Sequence, residues 1–149
     1  MRRLRHLLVA GAAVLAGTAV DATPVMATGS HRVLATRLSG AVEVPGPGDP
    51  DGSGVAALVI SSTNRGGRVC YALAVKNIMP ATAAHIHVGG PTVAGPIVVG
   101  LAPPTDGFSA RCMGVDRTVA QAIIDMPANY YVNVHTDDFP MGAIRGQLG

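Results

Sequence analysis

The segment VAALVISSTNRGGRVCYALAVK, residues 55–76, determines the fold class of the chain. Two runs of alternating apolar residues flank the turn-forming residues STNRGG, and a period of two is typical of β-strands. The segment therefore predicts a β-hairpin. In its second strand, the residues predicted to face the core are Val69, Tyr71, Leu73 and Val75. Cys70 would lie on the opposite face.

The same alternation recurs along the chain between clusters of Gly and Pro. Further strands are predicted at residues 33–44, 83–88, 96–101, 130–136 and 142–148. Many short strands with such turns are typical of a β-sandwich, so we predict an all-β, immunoglobulin-like or Greek-key sandwich. In the first of these strands, Leu38, Val42 and Val44 should face the core, while Glu43 should point the other way.

One segment, DRTVAQAIIDMP at residues 116–127, predicts a single short helix. Asp116 can cap its start, and Pro127 closes it. Its apolar stripe is predicted to consist of Val119, Ala122, Ile123 and Met126.

The composition argues against nucleic acid as a partner. The chain has 149 residues with 11 basic and 9 acidic side chains, and Arg2, Arg3 and Arg5 account for the excess of positive charge. The remainder is close to neutral, whereas a protein that binds a phosphate backbone needs clustered Lys and Arg. Aromatic residues make up 3% of the chain, too few for a base-stacking platform.

The first residues have the pattern of a secretory signal peptide. A basic start, MRRLRH, precedes an apolar run at residues 7–20, which is short for a membrane span. Small residues permit cleavage after Ala22 or after Ala27, and an uncleaved anchor is the alternative. We therefore expect residues 1–27 to be removed and residues 28–149 to form one exported domain without a permanent membrane anchor.

The two cysteines, Cys70 and Cys112, are predicted to form a disulfide. An even number of cysteines in an exported chain favours a bridge over free thiols, and no CxxC spacing suggests metal ligands. Cys112 falls in GFSARCMG, residues 107–114, which we interpret as a loop that covers the outward face of the strand with Cys70.

Strand alternation also brings histidines together. His85 and His87 are two residues apart and should share one polar face, and His135 should lie on a similar face of a neighbouring strand. Three imidazoles can converge on Cu or Zn, with copper the expected ion, or they can form a polar network without a metal. The same parity places Asn133 and Arg145, together with Glu43, near the histidines as supporting groups.

Other motifs are weaker. The sequence DPDGSG at residues 49–54 resembles the opening of a calcium loop, but Ile60 stands where the bidentate Glu is needed, so we predict a turn. The chain contains neither a GxSxG elbow nor a phosphate-binding GxxxxGK[ST] loop, and no residue stands out as catalytic.

Three segments resemble the CHRD domain, a family named from chordin that includes single-domain exported bacterial proteins. They are LSGAVEVP (38–45), AAHIHVGGPTVAGPIVVGL (83–101) and YYVNVHTDDFPMGAIRGQL (130–148). The resemblance covers the chain from about Leu38 to its end. It implies an immunoglobulin-like β-sandwich and no defined biochemical activity.

A looser similarity is to copper-zinc superoxide dismutase, whose copper strand carries an HxH motif. His85 and His87 match that motif, His135 resembles another ligand, and Arg145 resembles the arginine that guides an anion to copper. The sequence departs from that family because it has no second cluster of His and Asp for zinc.

These observations favour an exported, non-catalytic binding module with a copper site. The alternatives are a copper-dependent redox enzyme that resembles superoxide dismutase, and a structural or interaction domain without a metal. The sequence also leaves room for an extracellular protein partner.

Overall fold

A computed structural model describes residues 29–149, so the predicted leader at residues 1–27 lies outside the described part of the chain. The strands are β1 (Gly29–Ser39), β2 (Ser53–Thr63), β3 (Gly66–Lys76), β4 (Ala83–Val88), β5 (Ile97–Leu101), β6 (Phe108–Val115), β7 (Tyr130–His135) and β8 (Ile144–Gln147). One helix, α1 (Arg117–Asp125), lies between β6 and β7. The prediction of an all-β fold with one short helix is confirmed. Within residues 29–149, no helix is long and apolar enough to cross a membrane.

The eight strands form one antiparallel sheet in the order β5-β4-β7-β8-β1-β2-β3-β6. Strands β1 and β8 are paired only at Ser39 and Arg145, so the sheet consists of two four-stranded halves with a short seam between them. Both halves contribute to one hydrophobic core, with Leu58 and Ile60 from the first half and Ile86 and Val132 from the second. The halves therefore face each other as the layers of a sandwich.

The hairpin predicted at residues 55–76 is present as β2 and β3, which pair in continuous register from Ser53 with Lys76 to Thr63 with Gly66. Val69, Tyr71 and Leu73 are buried, as the alternation predicts, and Val75 packs against the core. The other side of this hairpin faces away from the core.

The strand prediction at residues 33–44 is wrong beyond Ser39. Residues Gly40–Val42 form a 3₁₀ turn in which the backbone of Gly40 lies against that of Asp49. This turn breaks the alternation, so Val42 is 52% exposed while Glu43 is only 5% exposed. The side chain of Glu43 is thereby buried beside the polar side chain of Asn133.

Helix α1 begins as predicted, because the Asp116 side chain accepts a hydrogen bond from the Thr118 backbone N–H. Three of the four residues predicted for its apolar stripe lie on the core side, because Ile123 is buried and Val119 and Ala122 pack against the core. The fourth, Met126, does not. The buried residues are Ala120, Ile123 and Ile124, whereas Met126 lies beyond the helix and is 56% exposed. The helix ends at Asp125, one residue before Met126, which is the last residue of the predicted stripe.

The predicted loop at residues 107–114 is also wrong, because it forms most of the edge strand β6. The register of β6 on β3 places Cys112 directly opposite Cys70, and the two are joined by the predicted disulfide. The alternating apolar signal is weak here because β6 lies at the rim of the sheet, where most of its residues remain exposed or half-buried on both faces.

Candidate metal centre

The three histidines meet on the outer face of the second half of the sheet. Strand β4 carries His85 and His87, and β7 ends at His135, whose register partner on β4 is Ala83. One ring nitrogen from each histidine lies within 4.8 Å of one from each of the others. The structure thus brings together all three predicted ligands, and within residues 29–149 no other group of three or more His, Cys, Asp or Glu side chains converges in this way.

Backbone carbonyls fix the tautomers of two of these rings. His87 Nδ1 lies 2.8 Å from the carbonyl oxygen of Gly95, and His135 Nδ1 lies 3.1 Å from that of Pro140. A carbonyl can only accept, so each Nδ1 must carry the hydrogen. In the neutral rings both Nε2 atoms therefore keep a lone pair, as a metal ligand requires.

The free nitrogens are directed towards one another. His135 Nε2 lies 3.1 Å from His85 Nδ1, which must donate its hydrogen to that lone pair. His87 Nε2 is buried and has no hydrogen-bond partner among residues 29–149. A buried polar atom without a partner is unfavourable by about 1–3 kcal/mol. An ion held between the rings would remove that penalty.

All three imidazoles favour the neutral state. Burial lowers the pKa of His85, and the neighbouring rings of His135 and His87 lower it further. Burial also lowers the pKa of His87 and of His135, although the carbonyl contacts of Gly95 and Pro140 partly oppose this. Neutral imidazoles are the form that binds a metal, so the environment prepares the cluster for coordination.

An aromatic stack supports His87. The ring of Tyr131 lies parallel to that of His87, with ring centroids 4.8 Å apart and an interplanar angle of 8°. The guanidinium carbon of Arg145 lies 3.4 Å from the centroid of the Tyr131 ring. Because β4 and β8 flank β7, Tyr131 is held between an imidazole and a cation. This stack fixes the plane of the His87 ring.

Arg145 also holds the loop that orients His87. It is 1% exposed, and its guanidinium donates to the carbonyl oxygens of Gly90 at 2.7 Å and Val93 at 3.0 Å. Gln147 donates to the carbonyl oxygen of Gly89 at 2.8 Å. The same loop supplies the Gly95 carbonyl that binds His87. The guanidinium is therefore directed at loop carbonyls.

Glu43 and Asn133 form a buried polar pair beside the cluster. Asn133 Nδ2 donates to both carboxyl oxygens of Glu43, at 2.9 and 3.0 Å, and its register partner on β4 is His85. Burial raises the pKa of Glu43 to about 7, against the opposing effects of the Val44 backbone and the charge of Arg145.

Gly142 leaves room for this pair, because a Cβ atom at position 142 would lie 2.5 Å from Glu43 Oε2. Its φ of +142° also favours glycine. The structure therefore places the predicted supporting residues Glu43, Asn133 and Arg145 on the histidine side of the sheet.

Sequence reasoning missed two parts of the site. The first is the contact of His87 and His135 with the backbone carbonyls of Gly95 and Pro140, which a pattern of side chains does not predict. The second is the role of Tyr131. Alternation places Tyr131 on the same polar face of β7 as Asn133 and His135, but the sequence assigned it no role beside the histidines. The turn at residues 49–54 is present, since the Gly52 N–H donates to the Asp49 carbonyl oxygen at 3.2 Å.

The fold and the three-histidine face define an all-β domain with a candidate metal centre. A family model, the CHRD domain, matches residues 34–148, which is most of the chain. The protein therefore belongs to the CHRD domain family. Comparisons with curated proteins and with solved structures found no match.

Proposed function

We propose that the protein is a non-catalytic binding module of the extracytoplasmic space that holds one transition-metal ion, copper in preference to zinc, between His85, His87 and His135. The observation that carries this proposal is the convergence of three neutral imidazoles, in which His87 Nε2 is buried without a partner in the described part of the chain. An ion at this position would be held by His87 Nε2, His135 Nε2 and His85 Nδ1. The hydrogen that His85 Nδ1 donates to His135 Nε2 in the metal-free protein would then move to His85 Nε2, so that the ring stays neutral.

The donor set favours copper. Imidazole is a good ligand for Cu and Zn and a poor one for Mg or Ca, and Cu²⁺ binds a given set of nitrogen ligands more tightly than Zn²⁺. The contacts of Arg145 favour a binding role over a redox enzyme in which this residue guides an anion to copper. Its guanidinium donates to the carbonyl oxygens of Gly90 and Val93 in the loop and is not directed at the histidine nitrogens.

The proposed location rests on the disulfide and on the leader pattern. A bridge such as Cys70–Cys112 persists in oxidising compartments and is rare in the reducing cytoplasm. The basic and apolar start of the chain provides a route of export.

The test is a calorimetric titration of the exported protein with Cu(II) and Zn(II). We expect one Cu(II) per chain, bound more tightly than Zn(II). His135→Ala should weaken copper binding at least 100-fold, because it removes one of three ligands. His31 is exposed on β1, outside the cluster, so His31→Ala is the matched control and should leave affinity unchanged.

Protons compete with the metal for imidazole, so affinity should also fall at acidic pH. Because burial lowers the pKa of all three rings, this fall should begin below the ordinary histidine value of 6.5. The proposal is wrong if the wild-type protein has no tight site, or if the His135 and His31 variants lose copper to the same extent.

A further inference from the structure

We propose that the outer face of the other half of the sheet is a docking surface for an acidic amphipathic helix of a partner protein. This outer face consists of the side chains of β1, β2, β3 and β6 that point away from the core. The inference is independent of the metal site, which lies on the opposite side of the sandwich.

The outer face is unusually apolar for a surface. Val33 is 70% exposed and Phe108 is 61% exposed, and Val55 and Val59 are about half exposed. Residues in register lie side by side in an antiparallel sheet, so Val33 adjoins Val59, and Ala74 of β3 joins Val55 to Phe108. Together they form an apolar patch that reaches all four strands. Contiguous exposed apolar patches of this kind mark interaction sites more often than chance.

A trench runs across the middle of the outer face. Four alanines stand in register there, one on each strand: Ala35, Ala57, Ala72 and Ala110. Larger side chains rise on both sides, with Val33 and Val59 in the row before and Val55 and Phe108 in the row after. A depression of about 490 Å³ covers part of this trench, and its outward-facing lining comes from the alanine row and the row after it: Ala35, Ala57, Ala72, Arg37, Val55, Ala74 and Phe108.

The dimensions of the trench suit one row of side chains on a helix. Four strands spaced about 4.8 Å apart span roughly 14 Å from β1 to β6. Apolar residues at positions i, i+4 and i+7 of a helix span about 10.5 Å, since each residue rises 1.5 Å. A helix laid across the strands could therefore place three apolar side chains in the trench, a recurrent mode of recognition.

The charge of the outer face determines the chemistry of the partner. Arg37, Arg68 and Lys76 point outward from its strands and are exposed, together with His31. None of the outward-facing strand residues described for this half is acidic. An apolar centre with a basic rim complements an apolar stripe flanked by carboxylates.

Two other occupants fit less well. A second copy of this chain, packed face to face, would bring two sets of basic side chains to one rim and repel. A lipid surface is contacted best by large protruding side chains such as Trp, but the chain contains no Trp and the alanine row is recessed.

The test uses a fluorescein-labelled synthetic peptide of 18 residues, with Leu on one helical face and Glu on the other, titrated with the exported protein. We expect saturable binding that weakens several-fold when salt rises from 50 to 500 mM. Ala57→Glu, in the centre of the trench, should weaken binding at least tenfold. Met126→Glu changes an exposed apolar residue outside the outer face and is the matched control, with unchanged affinity.

Three results would overturn this assignment. The first is absence of binding, or equal binding of a peptide with Lys in place of Glu. The second is a protein that does not bind the peptide but binds vesicles with 30% phosphatidylglycerol, provided that Ala57→Glu abolishes the vesicle binding. This result would indicate that the outer face contacts a membrane. The third is a dimer in sedimentation that Ala57→Glu dissociates, which would indicate a second copy. Thermal melting of each variant verifies that it is folded.

Discussion

At Glu43, burial changes the chemistry of a carboxyl group. Its folded pKa of about 7 lies above the ordinary value of 4.5, chiefly because the side chain is withdrawn from water. Between these two values the folded protein keeps a proton that the unfolded chain releases. The stabilisation that this proton provides is fully present below pH 4.5 and is lost as the pH rises to 7 and above.

We therefore expect Glu43→Gln to remove a pH-dependent part of the stability. The amide oxygen of Gln can still accept from Asn133 Nδ2, but it carries no charge at any pH. Relative to the variant, the metal-free wild-type protein should lose on the order of 1–2 kcal/mol of unfolding free energy between pH 4.5 and 8, allowing for residual contact with solvent. Denaturant unfolding across this range measures the difference.

Comparison of the two proteins cancels the contribution of the histidines, whose lowered pKa values act in the opposite direction and destabilise the fold as the pH falls below 6.5. Asp138→Asn is the control, because Asp138 is exposed in the loop after β7. A wild-type to Glu43→Gln difference that does not change with pH would contradict the account of this carboxyl.

The convergence of the three histidines could be predicted from single residues, whereas their setting could not. A period of two fixes which face a strand residue occupies, so His85, His87 and His135 followed from the sequence. The carbonyl groups of Gly95 and Pro140 belong to loops, and loop backbone positions depend on tertiary contacts. Sequence patterns of side chains contain no such information.

Among the elements, strand β6 depends on its covalent link. It is an edge strand with one neighbour, β3, and most of its residues are exposed or half-buried. The Cys70–Cys112 bridge joins the two strands at a register pair and closes a chain segment with a sequence separation of 42. A bridge of this span stabilises a fold mainly by restricting the unfolded chain.

Replacing both cysteines by alanine should lower the unfolding free energy by about 3–4 kcal/mol. Copper affinity should not change, because the bridge lies in the half of the sheet that does not carry the histidines. Denaturant unfolding and calorimetric titration measure the two effects, and reduced wild-type protein is the control. Unchanged stability, or loss of copper binding in the folded variant, would contradict this assignment.

The strand predictions were correct where apolar and polar residues alternate along the whole strand. Strand β4 has the predicted bounds, Ala83–Val88, because apolar and polar residues alternate along its length. The turn at Gly40–Val42 was missed because Val42 and Val44 continued an apolar pattern beyond the end of the strand. Strand β6 was missed because an edge position buries little of either face.

In the whole molecule, the two outer faces of the sandwich have different chemistry. One carries the histidines and their supporting groups under covering loops. The other carries the exposed alanine trench and the disulfide. The core between them is shared, so both halves contribute side chains to the same hydrophobic cluster.

The short seam between β1 and β8 has a consequence for local opening of the protein. One residue pair, Ser39 with Arg145, connects the two half-sheets along the backbone. Each half should therefore behave as its own cooperative unit in amide hydrogen exchange. Adding copper should slow exchange in β4 and β7, which carry the ligands, while β2 and β3 retain their rates. Mass spectrometry of the labelled protein would show this, and equal slowing in both halves would mean that the sandwich opens only as one unit.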